Sequence, residues 1–222
     1  MNLKPFFILG IILLLLLWLS RCEYGAEHQD VAPKYKNAHL TAVSAQNLLK
    51  EKKYEEALKY YEMAQREMEH PSIRADLGED IYINYGFVMN DIGVIHLGWA
   101  LYGKELNTQI DHVELATIDQ EELAKARQAL ETAVTFYERW FKHNPKNYER
   151  FSQAIAESLA NYGIALKYSG ELEPAREAFQ RSLRYNPDNG NAERSLKMLG
   201  IDPQPYIEAG KAERDRHKKF TL

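Results

Sequence analysis

The chain has 222 residues, 45% hydrophobic and 27% charged, enough apolar surface for one compact domain with extensions. Its formal net charge is −4, and no clustered basic face stands out, so nucleic acid is not an expected partner. Cys22 is the single cysteine, which rules out an intrachain disulfide and any CxxC zinc cluster and leaves stability to packing.

The first element is an apolar run of 14 residues, Phe6 to Leu19, with Lys4 before it and Arg21 after it. As a helix it spans about 21 Å, short of a hydrocarbon core of roughly 30 Å. Two membrane readings of residues 1–22 follow. In one, Leu19-Ser20-Arg21-Cys22 resembles the bacterial lipoprotein signal, with Cys22 as the lipidated residue, although Arg21 stands where that signal carries a small residue. In the other, residues 3–20 form an uncleaved anchor stretched by snorkelling of Lys4 and Arg21, consistent with the lack of a small-x-small cleavage site. The amino group and Lys4 outweigh the acid-rich flank Glu23, Glu27 and Asp30, which predicts a tethered body on the outer, extracytoplasmic side.

Residues 23–36 are polar, contain Gly25 and Pro33, and read as a linker. From Asn37 to about residue 200 the apolar residues recur with helical period, and sustained strand alternation is absent. A first helix pair is predicted over about 38–71: Ala45 and Leu48 mark one helix, Ala57, Tyr61 and Ala64 the other, with 12 residues from Ala45 to Ala57. The next stretch, Tyr82-x2-Tyr85-Gly86-x2-Met89, is followed 12 residues after Gly86 by Gly98-x3-Tyr102, with Gly93 in the expected turn. Asn107 to Ile118 reads as an irregular crossover. Asp119 to His143 reads as one long helix capped by Thr117 or Asp119, containing Ala133-x3-Tyr137 and followed by Pro145. Its own first helix is not recognisable.

The sharpest pattern is the last. Leu159, Tyr162, Gly163 and Leu166 share one helical face, and Ala175, Phe179, Ser182 and Leu183 share a second. Residues 167–173 supply a turn, Pro174 falls in the first turn of the second helix, and Pro187 closes the unit. Asn191 to Leu199 reads as a capping helix, Asp202-Pro203-Gln204-Pro205 breaks the chain, and residues 201–222 form a helical tail that is basic from Lys211 onward.

The string from Leu159 to Pro187 resembles the tetratricopeptide repeat, a helix–turn–helix unit with a small residue in each helix. The resemblance implies an all-α fold: antiparallel helix pairs stacked as a solenoid over 37–200, about three to four repeats, with one N-terminal hydrophobic helix. Taking Ala45, Gly86, Glu121 and Gly163 as anchors gives spacings of 41, 35 and 42, so the array is irregular. The resemblance also implies a concave groove lined by the first helices. By register, that groove presents His39, Ala42, Gln46, Leu49 and Lys50, then Asp80, Ile83, Phe87, Asn90 and Asp91, then Glu157, Ala160, Ile164, Lys167 and Tyr168. Of these, Ile83, Phe87, Asn90, Ile164, Lys167 and Tyr168 are the candidate partner-binding residues. Ala42 and Gln46 stand where a carboxylate clamp needs Lys and Asn, so capture of an acidic carboxyl terminus is not expected.

No catalytic constellation accompanies this pattern. The seven histidines form no HExxH pair, Asp111-His112-Val113-Glu114 falls in the crossover, and Gly93-x4-Gly98 lacks the Gly-Lys of a phosphate loop. The sequence therefore predicts a membrane-tethered, non-enzymatic scaffold without cofactor or metal that binds a protein or peptide segment. The alternatives are a lipoprotein subunit of an envelope assembly complex and a structural protein that assembles with itself.

Overall fold

Helices α5 (Tyr148–Tyr168) and α6 (Leu172–Tyr185) meet where the backbone of one approaches an aromatic ring of the other. A Cβ added at Gly163 would lie 2.6 Å from Cε1 of Phe179, so at this separation the glycine leaves room for the ring. The same contact recurs between α3 (Asp80–Tyr102) and α4 (Gln120–His143), where a Cβ at Gly86 would lie 2.7 Å from Cε1 of Tyr137. By register Ala45 and Tyr61 hold these positions in α1 (Lys36–Lys50) and α2 (Tyr54–Glu69), and both are fully buried. The computed structural model describes residues 36–70, 80–104 and 117–221. The apolar run 6–19, Cys22, the linker up to residue 35 and the Asp111–Glu114 cluster lie outside them.

Among the described residues the fold is all-helical: three antiparallel pairs stacked in chain order, then α7 (Gly190–Met198) and α8 (Gln204–Thr221). Each helix follows from local chemistry. Asp119 caps α4, its Oδ1 accepting from the N–H groups of Glu121 (3.0 Å) and Glu122 (3.1 Å), while Lys142 and His143 sit at the negative end of the helix dipole. Asn189 caps α7 in the same way through Asn191 and Ala192. Helix α8 folds back over α6: Gln180 donates to the Tyr206 hydroxyl (2.7 Å), Arg214 pairs with Asp188 (2.8 Å), and His217 stacks on Tyr148 at 4.1 Å. The basic end of the chain is thus docked along much of its length.

The middle of the array differs from the sequence expectation. Residues 80–102 form one continuous helix, and Gly93 lies within it, packed against the side chain of Leu130, rather than in a turn. Gly98-x3-Tyr102 is the end of that helix, and the small-x3-aromatic motif of its true partner is Ala133-x3-Tyr137. The two middle candidates merge into one unit, giving three pairs, with Gly86 and Ala133 separated by 47 residues where the other pairs have 12. Glu121 is not a small-residue anchor but an exposed acid in the first turn of α4.

The extra length is shared evenly. Helix α3 reaches its terminating glycine, Gly103, 17 residues after Gly86, against 7 from Ala45 to Lys52 and from Gly163 to Gly170. Helix α4 begins 13 residues before Ala133, against 3 for α2 and α6. Both helices therefore overhang their neighbours by about ten residues, or roughly 15 Å. The overhang is closed by the N–H of Asp119 donating to the carbonyl of Ala100 (3.1 Å) and by His96 Nδ1 at 2.6 Å from Glu122 Oε2.

A chain of buried polar groups joins the three pairs. Tyr61 of α2 donates to Asp91 Oδ2 (2.7 Å), Asn90 Nδ2 donates to Asp91 Oδ1 (3.2 Å), and Ser158 of α5 donates to Asn90 Oδ1 (2.7 Å). Asp91 is 3% exposed, and burial pushes its carboxyl up to about 6 against the opposing pull of the Tyr61 and Asn90 hydrogen bonds.

Two stability measurements follow. Lys52 sits at φ 61°, in the turn position that Gly170 (φ 82°) fills in the last pair, with matching hydrogen bonds: Lys52 and Gly170 donate to Leu49 and Lys167, and Lys53 and Glu171 to Leu48 and Leu166. A left-handed non-glycine residue costs about 1 kcal/mol. Lys52→Gly is expected to gain about 0.5–1 kcal/mol in urea unfolding, and a loss of stability would refute this account of the turn. For Asp91 the folded value lies above the unfolded one. Its favourable contribution is complete below pH ~4 and is lost as pH rises through ~6, a change on the order of 3 kcal/mol. Unfolding from pH 4 to 7 should show this slope in the native chain and not in Asp91→Asn; parallel curves would place the titration elsewhere.

Candidate functional site

The first helices of the pairs, α1, α3 and α5, differ in how much surface they leave open. Helix α3 is apolar on nearly every side, and such a helix is stable only when covered all round. It lies against α2, α4 and α5, and from Ile83 to Leu101 every residue is buried except Asn84, Phe87 and Gly98, which are half-buried.

This overturns part of the expected groove. Ile83 and Asn90 are each 2% exposed and out of a partner's reach: Ile83 belongs to the core, and Asn90 is used by Ser158 and Asp91. Asp91 is interior as well. Phe87 is half-buried, but its ring meets Tyr137 edge-on at 5.4 Å and lies 6.3 Å from Phe151, so it packs between pairs. On α1, Ala42, Gln46 and Leu49 are buried, His39 is half-buried and Lys50 is exposed.

The residues expected on α5 are brought together. Ile164, Lys167 and Tyr168 are half-buried, and Lys167 Nζ lies 5.1 Å above the Tyr168 ring. Burial draws the Lys167 ammonium below its ordinary value and pushes the Tyr168 hydroxyl up. Tyr102, at the end of the overhanging α3, has its hydroxyl raised first by burial and then by the charge of Tyr168, which lies within electrostatic range. The face on α5 is thus an aliphatic side chain, a cation and a tyrosine, able to take apolar contact and to accept or donate at its rim. Sequence reasoning missed Tyr102 because it assigned that residue to a second helix.

Further along α5, Glu157 is half-buried, Ala160 is 1% exposed and Asn161 is 4% exposed. They line a cleft of about 210 Å³ with Gln153 and the start of α7.

The most reactive-looking group of side chains lies elsewhere, in a cleft of about 550 Å³ between α2 and the overhang. Burial alone would raise the Glu122 carboxyl, but hydrogen bonds from His96 and from Lys125 (3.1 Å) outweigh it and hold the acid below its usual range. Both carboxylate oxygens are therefore engaged, which suits a tie between α3 and α4 better than a general base. Among the described residues no three His, Cys, Asp or Glu side chains come together as a metal site, and no helix is long and apolar enough to cross a membrane.

No curated protein matches the chain in sequence. Residues 156–189, which comprise most of α5, the Gly170 turn and α6, match the family model of the tetratricopeptide repeat, so the last of the three stacked pairs is identified as a tetratricopeptide repeat.

Proposed function

We propose that this chain is a protein-interaction scaffold that receives a segment of a partner protein on the open face of α5. The repeat matched at 156–189 is a protein-binding unit, which supports the general reading. The observation that carries the particular one is the grouping of Ile164, Lys167 and Tyr168 on α5, each half-buried, with Ile164 and Tyr168 at the edge of the core. An apolar residue and a tyrosine beside a partly desolvated lysine are the side-chain types that anchor interfaces.

We further propose that residues 3–20 tether the scaffold to a membrane, with the helical body on the outer side. The support is the Phe6–Leu19 run and its flanking Lys4 and Arg21.

Crosslinking through the Lys167 amine in cells, followed by mass spectrometry, tests the binding face. Ile164→Ser with Tyr168→Ser should lower partner crosslinks about tenfold or more, since two anchor residues contribute about 1–2 kcal/mol each. Met198→Ser, at an exposed site on α7, should leave them unchanged. The same partners in the same yield from the double variant would sink the assignment, and crosslinks confined to other copies of the chain would favour self-assembly.

The tether is tested by feeding labelled palmitate. Label in the native chain that disappears in Cys22→Ser supports the lipoprotein reading. Membrane retention without label supports an uncleaved anchor, and an unlabelled chain in the soluble fraction refutes both.

A further inference from the structure

The cleft of about 550 Å³ beside the overhang is a trough with three sides. Tyr85, Met89, Ile92, His96 and Trp99 recur at spacings of three and four along α3 and form its floor. Glu62 and Glu69 stand on the α2 wall, and Gln128 and Ala129 on the α4 wall. Tyr85 and Trp99 are 14 residues apart, so the floor runs for about 21 Å.

The two ends offer opposite groups that the chain itself does not satisfy. Beside Tyr85, Glu69 accepts from Gln65 (3.1 Å) and from the Tyr85 hydroxyl through Oε1 alone. Glu62, two turns earlier on α2, is exposed and its carboxylate has no partner among the described residues. At the overhang end Trp99 is 5% exposed, and its indole N–H finds no acceptor. Leaving such a donor buried and unmet is costly. Lys104 is exposed, pairs with no acid among the described residues, and holds its Nζ 5.5 Å above the Trp99 ring. Glu122 does not answer these donors, because its oxygens are taken by His96 (2.6 Å) and Lys125 (3.1 Å).

We infer that the trough receives an extended polypeptide segment with Lys or Arg at one end, Asp or Glu about six residues away, and apolar side chains between. An extended chain rises about 3.3 Å per residue, so about 21 Å takes six or seven residues. Every second side chain then points to Met89 and Ile92 on the floor. The Gln128 side chain is exposed and without a partner among the described residues, which leaves its amide free for the main chain of the segment. At one end a cation meets Glu69 and Glu62; at the other a carboxylate takes both the Lys104 ammonium and the Trp99 N–H. A helix, about 10–12 Å across, is too wide for about 550 Å³ spread over that length. A hydrocarbon chain matches the floor but leaves both ends unanswered. The trough shares no residue with the α5 face, and its overhang half exists only because α3 and α4 are lengthened.

Four end-blocked heptapeptides test the inference. Each has leucine at positions 3 and 5, serine at 2, 4 and 6, and charged residues at 1 and 7: Arg then Asp, Asp then Arg, Arg at both, or Asp at both. They are titrated into the full-length chain labelled with 15N on tryptophan while the indole N–H signals of Trp99 and Trp140 are followed, Trp99→Phe identifying the first. One of the mixed-charge peptides should shift Trp99 saturably and leave Trp140, outside the trough, unmoved. It should bind at least several-fold tighter than either like-charged peptide, and its order gives the direction of the segment. Lys104→Glu, at an exposed site, should invert the ranking so that the peptide with two arginines binds best. Glu69→Gln, which keeps an acceptor for Tyr85, should weaken the mixed-charge peptide about two- to fivefold, as loss of one partly exposed ion pair does. Equal binding of all four peptides, no saturable shift at Trp99, or an unchanged ranking in Lys104→Glu overturns the inference. These variants leave the α5 face intact, so the crosslinking at Lys167 stands or falls by itself.

Discussion

The close approach of a small residue to an aromatic ring sets the spacing from which the rest of the molecule is built. Two helices pack at about 8–10 Å only when one of them presents little side chain at the crossing. Gly163 under Phe179 and Gly86 under Tyr137 meet that requirement with backbone, and Ala45 holds the same register position ahead of Tyr61. Once a pair is set at this distance, its outer side chains form the next layer. Phe87, Tyr137, Phe151, Trp140 and Phe141 then pass ring contacts from α3 through α4 to α5. The middle pair shows how strict the constraint is: beyond the Gly86–Tyr137 contact both helices run about ten residues further than the corresponding helices of the other pairs, yet the contact itself is kept.

That same lengthening explains what could be read from the sequence and what could not. The last pair was legible because its two halves lie 12 residues apart, so a local pattern contains the whole unit. The long α4 and its Asp119 cap were legible for the same reason, since helical period and capping are local properties. The partnership of α3 with α4 was not. Gly86 and Ala133 are 47 residues apart, and Gly98-x3-Tyr102 imitates the expected motif at the expected distance. Spacing cannot separate a motif that faces a partner helix from one that continues the same helix. Residues 81–101 are mostly apolar, as suits an enclosed helix, but Asn90 and Asp91 just before Gly93 imitate a polar turn.

The proposed binding face was half legible for a related reason. Register places a residue on a helix face, but whether that face is open depends on what packs there. Helix α3 has no polar side, so Ile83 and Asn90 are enclosed, whereas α5 keeps Lys167 among its apolar residues and stays partly open. The overhang also carries Tyr102 within electrostatic range of Tyr168 on α5. The irregularity of the array therefore shapes the face.

Buried polarity plays two different parts in this fold. The chain Tyr61–Asp91–Asn90–Ser158 is completed within the molecule, and each of its hydrogen bonds crosses from one element to another or joins adjacent residues of α3. Such a chain opposes sliding of one pair against the next, because a shift of one turn would strand a carboxyl and an amide away from water. Asn161, about one helical turn after Ser158, is 4% exposed and borders the cleft beside α7, where its amide stays within reach of water. The contrast separates a group that holds the scaffold together from one that the scaffold leaves unfinished. An amide without a protein partner is tolerated where it borders a cleft, since water can serve it there.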